Sequence, residues 1–180
     1  YYSMVVSLPS YTGTPPGISY FAGLDNLTAG TYTSFGGLLV RQDANDSTKL
    51  NLGVETSGNS NASWSTTAYS PNDPVFVVVS FTFGGPSTLD VFADGAPLLA
   101  ADPGAGNHSA TSTGSDASAV TSLSNFYLRG NISEPAGINA DELRIGTTWQ
   151  DVVPTPEPAS LSLLGLAALG IIGRRRKPNH

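Results

Sequence analysis

The sequence predicts an all-β protein, an antiparallel β-sandwich followed by a single hydrophobic helix at the C-terminus. Three observations favour this fold class. Short segments of alternating apolar and polar residues recur along the chain, and clusters of Gly, Pro, Asn and Asp separate them. No apolar stripe of helical period and length appears before residue 158. Strands joined by polar turns without crossover helices are typical of an antiparallel sandwich.

Composition and charge limit the classes of function. The 180 residues, 39% of them hydrophobic, suffice for one domain with a buried core. No Cys is present, which excludes disulfides and thiolate metal sites. Residues 1–153 carry thirteen acidic side chains but only four basic ones. This balance argues against nucleic acid as a partner, because phosphate binding needs a surface rich in Lys and Arg.

Alternation assigns faces in two predicted strands. In LNLGVET (residues 50–56), the apolar side chains point to the core, while Asn51 and Glu55 point to water. In PVFVVVSFTF (residues 74–83), alternate side chains up to Phe83 share one face. The remaining predicted strands are YSMVVSL, ISYFAGL, FGGLLVRQ, WSTTAY, SNFYLRG and DELRIGTTW.

Two connections can also be predicted. Asp94-Gly95 in TLDVFADGAPLL favours a type I′ turn between two strands, because this dipeptide adopts positive φ angles at low cost. The segment 103–121 is of low complexity and predicts a long surface loop. We expect His108, which lies in this loop, to be solvated and to take no part in a catalytic triad.

The order of the strands carries a resemblance. A Val-rich strand, a strand ending in LDVFADG, a strand like FYLRG and a closing ADELRIGTTWQDVVP follow one another. In this order residues 1–153 resemble the concanavalin A-like (laminin-G-like) jelly rolls, most specifically over 141–149. The resemblance implies two curved antiparallel sheets, a scaffold used for carbohydrate binding, glycan hydrolysis and adhesion. The fold alone does not choose among these functions.

Carboxylate spacing argues against catalysis. Glycan hydrolysis needs two carboxylates that flank the scissile bond. The E-x-D-x-x-E arrangement typical of hydrolases with this fold does not occur in the chain. Asp141 and Glu142 are adjacent, so on a strand they face opposite sides. We therefore expect a protein that is not an enzyme, with a divergent glycoside hydrolase as the remaining catalytic alternative.

Ligand binding by the body is a further alternative. Laminin-G-like domains often hold calcium through loop oxygens, and the resemblance implies a possible calcium site at Asp25, Asp43, Asn45 and Asp46. Equally, Asp and Asn are common in turns because they bond the local backbone. A calcium-dependent, lectin-like site would also need an exposed aromatic platform. The candidates are Trp64, Tyr69, Tyr127 and Trp149, of which we expect Trp149 to be buried.

The C-terminal segment differs from the rest of the chain. Pro154, Pro156 and Pro158 exclude a regular helix and predict an extended hinge. Residues 159–173 carry no charge, and as a helix they would measure about 22 Å, less than the roughly 30 Å hydrocarbon core of a membrane. The apolar residues of this short membrane segment are Ala159, Leu161, Leu163, Leu164, Leu166, Leu169, Ile171 and Ile172.

A basic cluster follows the apolar run. It consists of Arg174, Arg175, Arg176 and Lys177. Basic residues next to a membrane segment stay in the cytoplasm, which predicts that the body lies outside.

The order of these tail features is informative. Pro156, Glu157 and Pro158, then the short apolar segment, then the basic cluster closely resemble the PEP-CTERM sorting domain. The resemblance implies an exported protein of a Gram-negative bacterium, with a precursor anchored transiently in the inner membrane and processed by an exosortase-type enzyme. The product would reach the cell surface or the extracellular polysaccharide matrix.

The domain organisation follows from both resemblances. We expect a sandwich over 1–153 that serves as a non-enzymatic surface or matrix protein, and a sorting and anchor segment over 154–180. The first residues, YYSMVVSLPSY, read as the middle of an apolar strand and contain no signal peptide. We expect the signal peptide, and further strands, to precede Tyr1.

Overall fold

The computed structural model describes residues 1–8, 19–26, 34–57, 61–93, 96–114, 121–129 and 137–154. These residues form ten strands and one short helix. The strands are β1 (Tyr2–Ser7), β2 (Ser19–Asp25), β3 (Ser34–Gln42), β4 (Leu50–Ser57), β5 (Ser63–Tyr69), β6 (Val75–Ser80), β7 (Thr88–Ala93), β8 (Ala110–Thr111), β9 (Asn125–Leu128) and β10 (Asn139–Ile145). The helix is α1 (Trp149–Val152).

The strands form two five-stranded sheets. The first sheet has the order β10-β1-β6-β7-β8 and the second the order β5-β4-β3-β2-β9. All strand pairs among the described residues are antiparallel. The predicted all-β sandwich is confirmed at this level. The predicted C-terminal helix lies outside the described residues.

The main core lies between the sheets, and the alternation of β4 places it correctly. Leu50, Leu52 and Val54 are buried in the same core as Val77 and Val79 of β6, as their spacing predicts. Apolar residues at every second position give each sheet one continuous hydrophobic face. The two faces bury each other, which is the main driving force for this fold.

The predicted solvent exposure of two β4 side chains on the outer face of the second sheet is wrong. Asn51 and Glu55 were expected in water, but both side chains are buried. The outward-facing glycines of this sheet make room for large neighbours. A Cβ on Gly37 would lie 2.9 Å from Glu55 Oε1, and a Cβ on Gly53 would lie 2.6 Å from the Trp64 ring. Side chains therefore lie flat across glycine positions instead of projecting into solvent.

The strand predicted at residues 74–83 is shorter than its pattern. β6 ends at Ser80, and a turn closed by the Gly85 N–H bond to the Thr82 carbonyl (3.0 Å) leads to β7. Gly84 has φ +70° in this turn, a conformation that favours glycine. Phe83, expected on the core face, is 50% exposed.

Two predicted connections also differ. Asp94 and Gly95 lie outside the described residues, and Leu98 and Leu99, expected in a strand after the turn, are not in one. The predicted loop 103–121 contains β8, which pairs with β7. Beyond β8, the Thr56 hydroxyl donates to the Ser112 hydroxyl at 2.8 Å and so links this segment to the second sheet.

β10 carries an irregularity opposite β1. Ser3 pairs with Arg144 and Val5 with Asp141, so Glu142 and Leu143 oppose a single residue. This is a β-bulge, and Glu142 has φ +54° within it. The predicted strand DELRIGTTW ends at Ile145, because Thr148 and Asp151 start α1 instead.

Candidate functional site

The Asp151 side chain bonds the backbone that leads into the short helix α1. Asp151 Oδ2 accepts hydrogen bonds from the backbone N–H groups of Thr148 (2.8 Å) and Thr147 (3.0 Å). These bonds lower the pKa of the Asp151 carboxyl. Hydrogen bonds of this kind fix the backbone at the entry to a helix. The chain is therefore held in a defined direction directly before its C-terminal segment.

A second hydrophobic core anchors α1 on the outer face of the first sheet. Trp149, Val152 and Val153 are buried there against Val78. The residues packed around them are Tyr1, Phe76, Phe92 and Leu98. The expected burial of Trp149 is confirmed.

Three hydrogen bonds fix the same position. The Trp149 indole N–H donates to the Leu99 carbonyl at 3.0 Å, and the Ser3 hydroxyl donates to the Val152 carbonyl at 2.6 Å. The Val153 N–H closes the helix on the Trp149 carbonyl at 3.0 Å. Pro154, half-buried, is the last described residue. The C-terminal segment thus leaves directly from the surface of the sandwich.

The residues predicted for sorting lie beyond this point. The proline-rich triplet at 156–158, the apolar segment 159–173 and the basic cluster 174–177 are all outside the described residues. Within the described ranges, no helix has the length and apolar character needed to cross a membrane.

The four predicted calcium ligands are not brought together. Asp25 pairs with Ser34 at the start of β3, and Asp43 follows the last residue of β3, Gln42. Nine strand residues separate the two ends by roughly 26 Å, too far for one ion. Among the described residues, no three His, Cys, Asp or Glu side chains are grouped so that they could hold a metal.

The acidic residues of the 43–48 turn accept hydrogen bonds from the backbone of the same turn. Asp43 Oδ1 accepts the N–H groups of Asn45 and Asp46, each at 2.9 Å. Asp46 Oδ1 accepts the N–H (2.9 Å) and the hydroxyl (2.6 Å) of Thr48. These bonds lower the pKa of both carboxyls. Turn formation, the alternative interpretation of these residues, accounts for their positions.

The predicted aromatic platforms are covered to different degrees. Tyr69 and Trp149 are buried. Trp64 is half-buried, with Gly53 beneath its ring and the Arg41 guanidinium 4.4 Å above the ring centroid. The Trp64 indole therefore packs against both Gly53 and Arg41, which cover part of its ring. Tyr127 lies across Gly23, and its hydroxyl contacts the Ser34 hydroxyl.

Sequence reasoning missed a groove at one end of the sandwich. The groove has a volume of about 750 Å³ and lies between β9 and the end of β10. Phe81, Phe83 and Ile145 contribute to its apolar part, and Asn125 and Thr147 to its polar part. None of the described residues that line it has a charged side chain. The unexpected exposure of Phe83 gives the groove an accessible aromatic ring.

The expectation that His108 is solvated is wrong. Its side chain is only 7% exposed, and its Nδ1 lies 2.9 Å from Asp90 Oδ2. Its Nε2 lies 3.7 Å from Asp102 Oδ1. Burial raises the pKa of the Asp90 carboxyl, while the hydrogen bond from His108 opposes that rise. The low-complexity sequence around His108 gave no sign of Asp90, which β7 supplies.

The adjacent residues Asp141 and Glu142 and the single buried Glu55 lie in different environments. Asp141 Oδ1 accepts the N–H of Glu142, and Glu142 is exposed at the bulge. The Glu55 carboxyl is buried, and neither of its oxygens has a hydrogen-bond partner among the described residues. Burial raises the pKa of Glu55 to about 7.

Comparison with known proteins identifies the C-terminal segment. Residues 154–177 match the family model of the PEP-CTERM protein-sorting motif. No curated protein and no solved structure matches the chain. The match begins at Pro154, directly after the residues that anchor α1. The chain therefore carries a PEP-CTERM protein-sorting motif, which supports an exported protein with a membrane-anchored precursor that is sorted by an exosortase.

Proposed function

We propose that this protein is a non-enzymatic surface or matrix protein of a Gram-negative bacterium. Residues 1–153 are the passenger, and residues 154–180 are the sorting segment that an exosortase-type membrane enzyme processes. We further propose that the passenger is a concanavalin A-like jelly roll. The position of β1 between β6 and β10, and the repeated crossing of the chain between two antiparallel sheets, support this fold.

The proposal is supported by the burial of the two residues that directly precede the sorting segment. Val152 and Val153 are packed into the second core, and the sorting motif begins at the next residue. Pro156 is two residues further, so an extended chain places it within about 7 Å of Pro154. The recognition triplet thus begins two residues after the last described residue. The processing enzyme must therefore work at the surface of the sandwich.

Charge supports the orientation of the precursor. The basic cluster 174–177 favours a cytoplasmic C-terminus, which leaves the acidic passenger on the other side of the inner membrane. The uncharged run 159–173 is shorter than a typical transmembrane helix, which suits a temporary span.

Processing can be tested in the host. We would express the full chain with and without the exosortase, fractionate the cells and measure the C-terminal mass of the product. The expected result is loss of the tail and release of the body only when the enzyme is present. Replacing Pro156, Glu157 and Pro158 together by Ala should keep the tail intact, while Thr155→Ala serves as the matched control. An intact tail in both strains would overturn the proposal.

Orientation can be tested with single thiols, because the chain has no Cys. Asn179→Cys places a thiol beyond the basic cluster, and Thr66→Cys places one on an exposed position of β5. In spheroplasts that lack the exosortase, a membrane-impermeant maleimide should label Thr66→Cys and spare Asn179→Cys. The reverse pattern would place the body in the cytoplasm.

A second candidate function is binding of a neutral glycan in the groove at the end of the sandwich. The exposed ring of Phe83 next to the uncharged polar side chains of Asn125 and Thr147 favours it. An extracellular polysaccharide is the natural partner for such a site on a surface protein. The test is a glycan array with and without chelator, in which Phe83→Ala abolishes binding and Phe76→Ala, outside the groove, does not. Binding that the chelator removes would instead support a calcium-dependent lectin.

A further inference from the structure

A second, smaller groove lies on the outer face of the first sheet, beside the point where the sorting motif begins. A row of three side chains in register lines it, Val5 of β1, Phe76 of β6 and Phe92 of β7. The two phenyl rings are tilted by 41° with 6.1 Å between their centroids. All three side chains are half-buried, so part of their apolar surface is open to solvent. We call this feature the tail-side groove.

The size and lining of the tail-side groove fit a single apolar side chain. Its volume is about 220 Å³, below the roughly 300 Å³ at which small-molecule sites begin. Pro74 and Leu98 add further apolar surface. Glu142 carries the one charged side chain among the described residues that line the groove. An uncharged apolar group therefore suits the groove, whereas an anion would be repelled.

The sorting motif starts at the wall of the same groove. Pro154 lines the groove and is also the first residue of the motif. Val153 before it is buried and has an extended backbone, with φ −91° and ψ 127°. The chain that follows Pro154 therefore sets out from the groove itself.

The residues after Pro154 have the composition that an aromatic groove prefers. They read TPEP, and Pro156 is the first apolar residue among them. Proline-rich segments bind grooves lined by aromatic rings, because their extended conformation is fixed in advance and little entropy is lost. Two residues in this conformation span about 6 Å, which keeps Pro156 beside Pro154. So short a tether gives an effective concentration on the order of millimolar.

Charge distinguishes the first two residues of the recognition triplet. Glu157 follows Pro156, and its carboxylate would meet the like charge of Glu142 in the groove. Glu142 is exposed at the bulge of β10, on the rim of the groove. Repulsion between the two carboxylates favours an arrangement in which Pro156 enters the groove and Glu157 stays outside it.

We propose that the tail-side groove is the docking site for Pro156 of the same chain. Docking holds the first residue of the recognition triplet on the passenger and leaves the carboxylate of Glu157 accessible to the processing enzyme. This role in processing rests on the proposed function. Docking itself is measured without the exosortase.

A single thiol in the groove reports the docked state. Ala93 is exposed and lines the groove, and the chain has no Cys, so Ala93→Cys places the only thiol there. We would measure its rate of reaction with N-ethylmaleimide in full-length protein purified in detergent from cells that lack the exosortase. Adding Pro156→Ala should raise this rate at least about threefold, as expected when at least about two thirds of the chains are docked.

Two matched controls accompany this measurement. Pro158→Ala removes another proline of the triplet and should leave the rate of the Ala93→Cys thiol unchanged. A thiol at Thr66→Cys, on the second sheet, should react equally fast with and without Pro156→Ala. Melting temperatures check that each variant is folded.

Two results would overturn the docking site. One is an equal rate for the Ala93→Cys thiol with and without Pro156→Ala. The other is protection that weakens on about tenfold dilution, because mass action would then assign the groove to a second copy of the chain.

The wild-type chain provides a test that needs no variant. In isotope-labelled protein, nuclear Overhauser contacts should join the Pro156 ring protons to the Phe92 ring. Their absence would contradict docking even if Ala93→Cys does not fold. Contacts that are present alongside a failed exosortase assay would remove the role in processing and leave docking in place.

Discussion

The Glu55 carboxyl lies directly over Gly37 of the neighbouring strand, where a Cβ would come within 2.9 Å of Glu55 Oε1. The two residues are a register pair of β3 and β4, and the missing side chain of one makes room for the other. The Glu55 carboxyl can therefore be buried on the outer face of the sheet only because residue 37 is a glycine.

Adding a methyl group at Gly37 should destabilise the fold. We expect Gly37→Ala to lower the free energy of unfolding by about 1–3 kcal/mol, since Glu55 would have to move. Urea denaturation of the single and double variants with Glu55→Ala measures the coupling. In the Glu55→Ala background the cost should largely disappear. An equal cost in both backgrounds would show that Glu55 is not the obstacle.

Removing the charge of Glu55 should stabilise the protein at neutral pH. Burial raises the pKa of Glu55 from 4.5 to about 7, so the folded state keeps its proton while the unfolded state loses it. Between these two pH values the wild type loses stability as the pH rises, and above about 7 the loss is complete. We therefore expect the benefit of Glu55→Gln to grow over this window to at most about 3 kcal/mol.

Unfolding by urea at about pH 4.5, 6 and 8 checks this dependence, because these values bracket the shifted titration. Exposed Glu142 provides the control, since Glu142→Gln should show no such growth with pH. A benefit of Glu55→Gln that is the same at all three pH values would contradict the buried, proton-holding carboxyl.

Trp149 and Trp64 should differ in their contribution to stability. Trp149 is buried in the second core, whereas Trp64 is half-buried on the outer face of the second sheet. We expect Trp149→Ala to cost about 3–5 kcal/mol, in the range of buried aromatic truncations. Trp64→Ala should cost less by the same urea assay. Equal costs would mean that α1 is not anchored by its indole.

Calcium should leave the stability of the sandwich unchanged. Asp43 and Asp46 have lowered pKa values because they accept hydrogen bonds within their turn, so their contribution is present at neutral pH and lost as the pH falls. We expect Asp46→Asn to lower the melting temperature at pH 7 equally with calcium and with chelator. A calcium-dependent rise in melting temperature that Asp43→Asn removes would contradict this expectation.

The features that the sequence predicts well are those set by neighbouring residues. The core face of β4 follows from Leu50, Leu52 and Val54 alone, and their burial confirms it. The sorting motif is likewise contiguous, and the family match at 154–177 confirms it. Local patterns of this kind need no knowledge of the remaining fold.

The features that the sequence misses depend on partners from distant segments. Glu55 is buried because Gly37 lies beside it, and His108 is buried because Asp90 of β7 faces it. The calcium prediction grouped Asp25 with Asp43 by residue type, but β3 holds them at opposite ends. Spacing along the chain cannot reveal any of these three relationships.

Every apolar residue of the two described cores lies at or before Val153. A cut made near the proline-rich triplet would remove none of them. Hydrophobic burial in these described cores would therefore be the same before and after maturation. Proteolytic processing would change the location of the protein and leave these two cores intact.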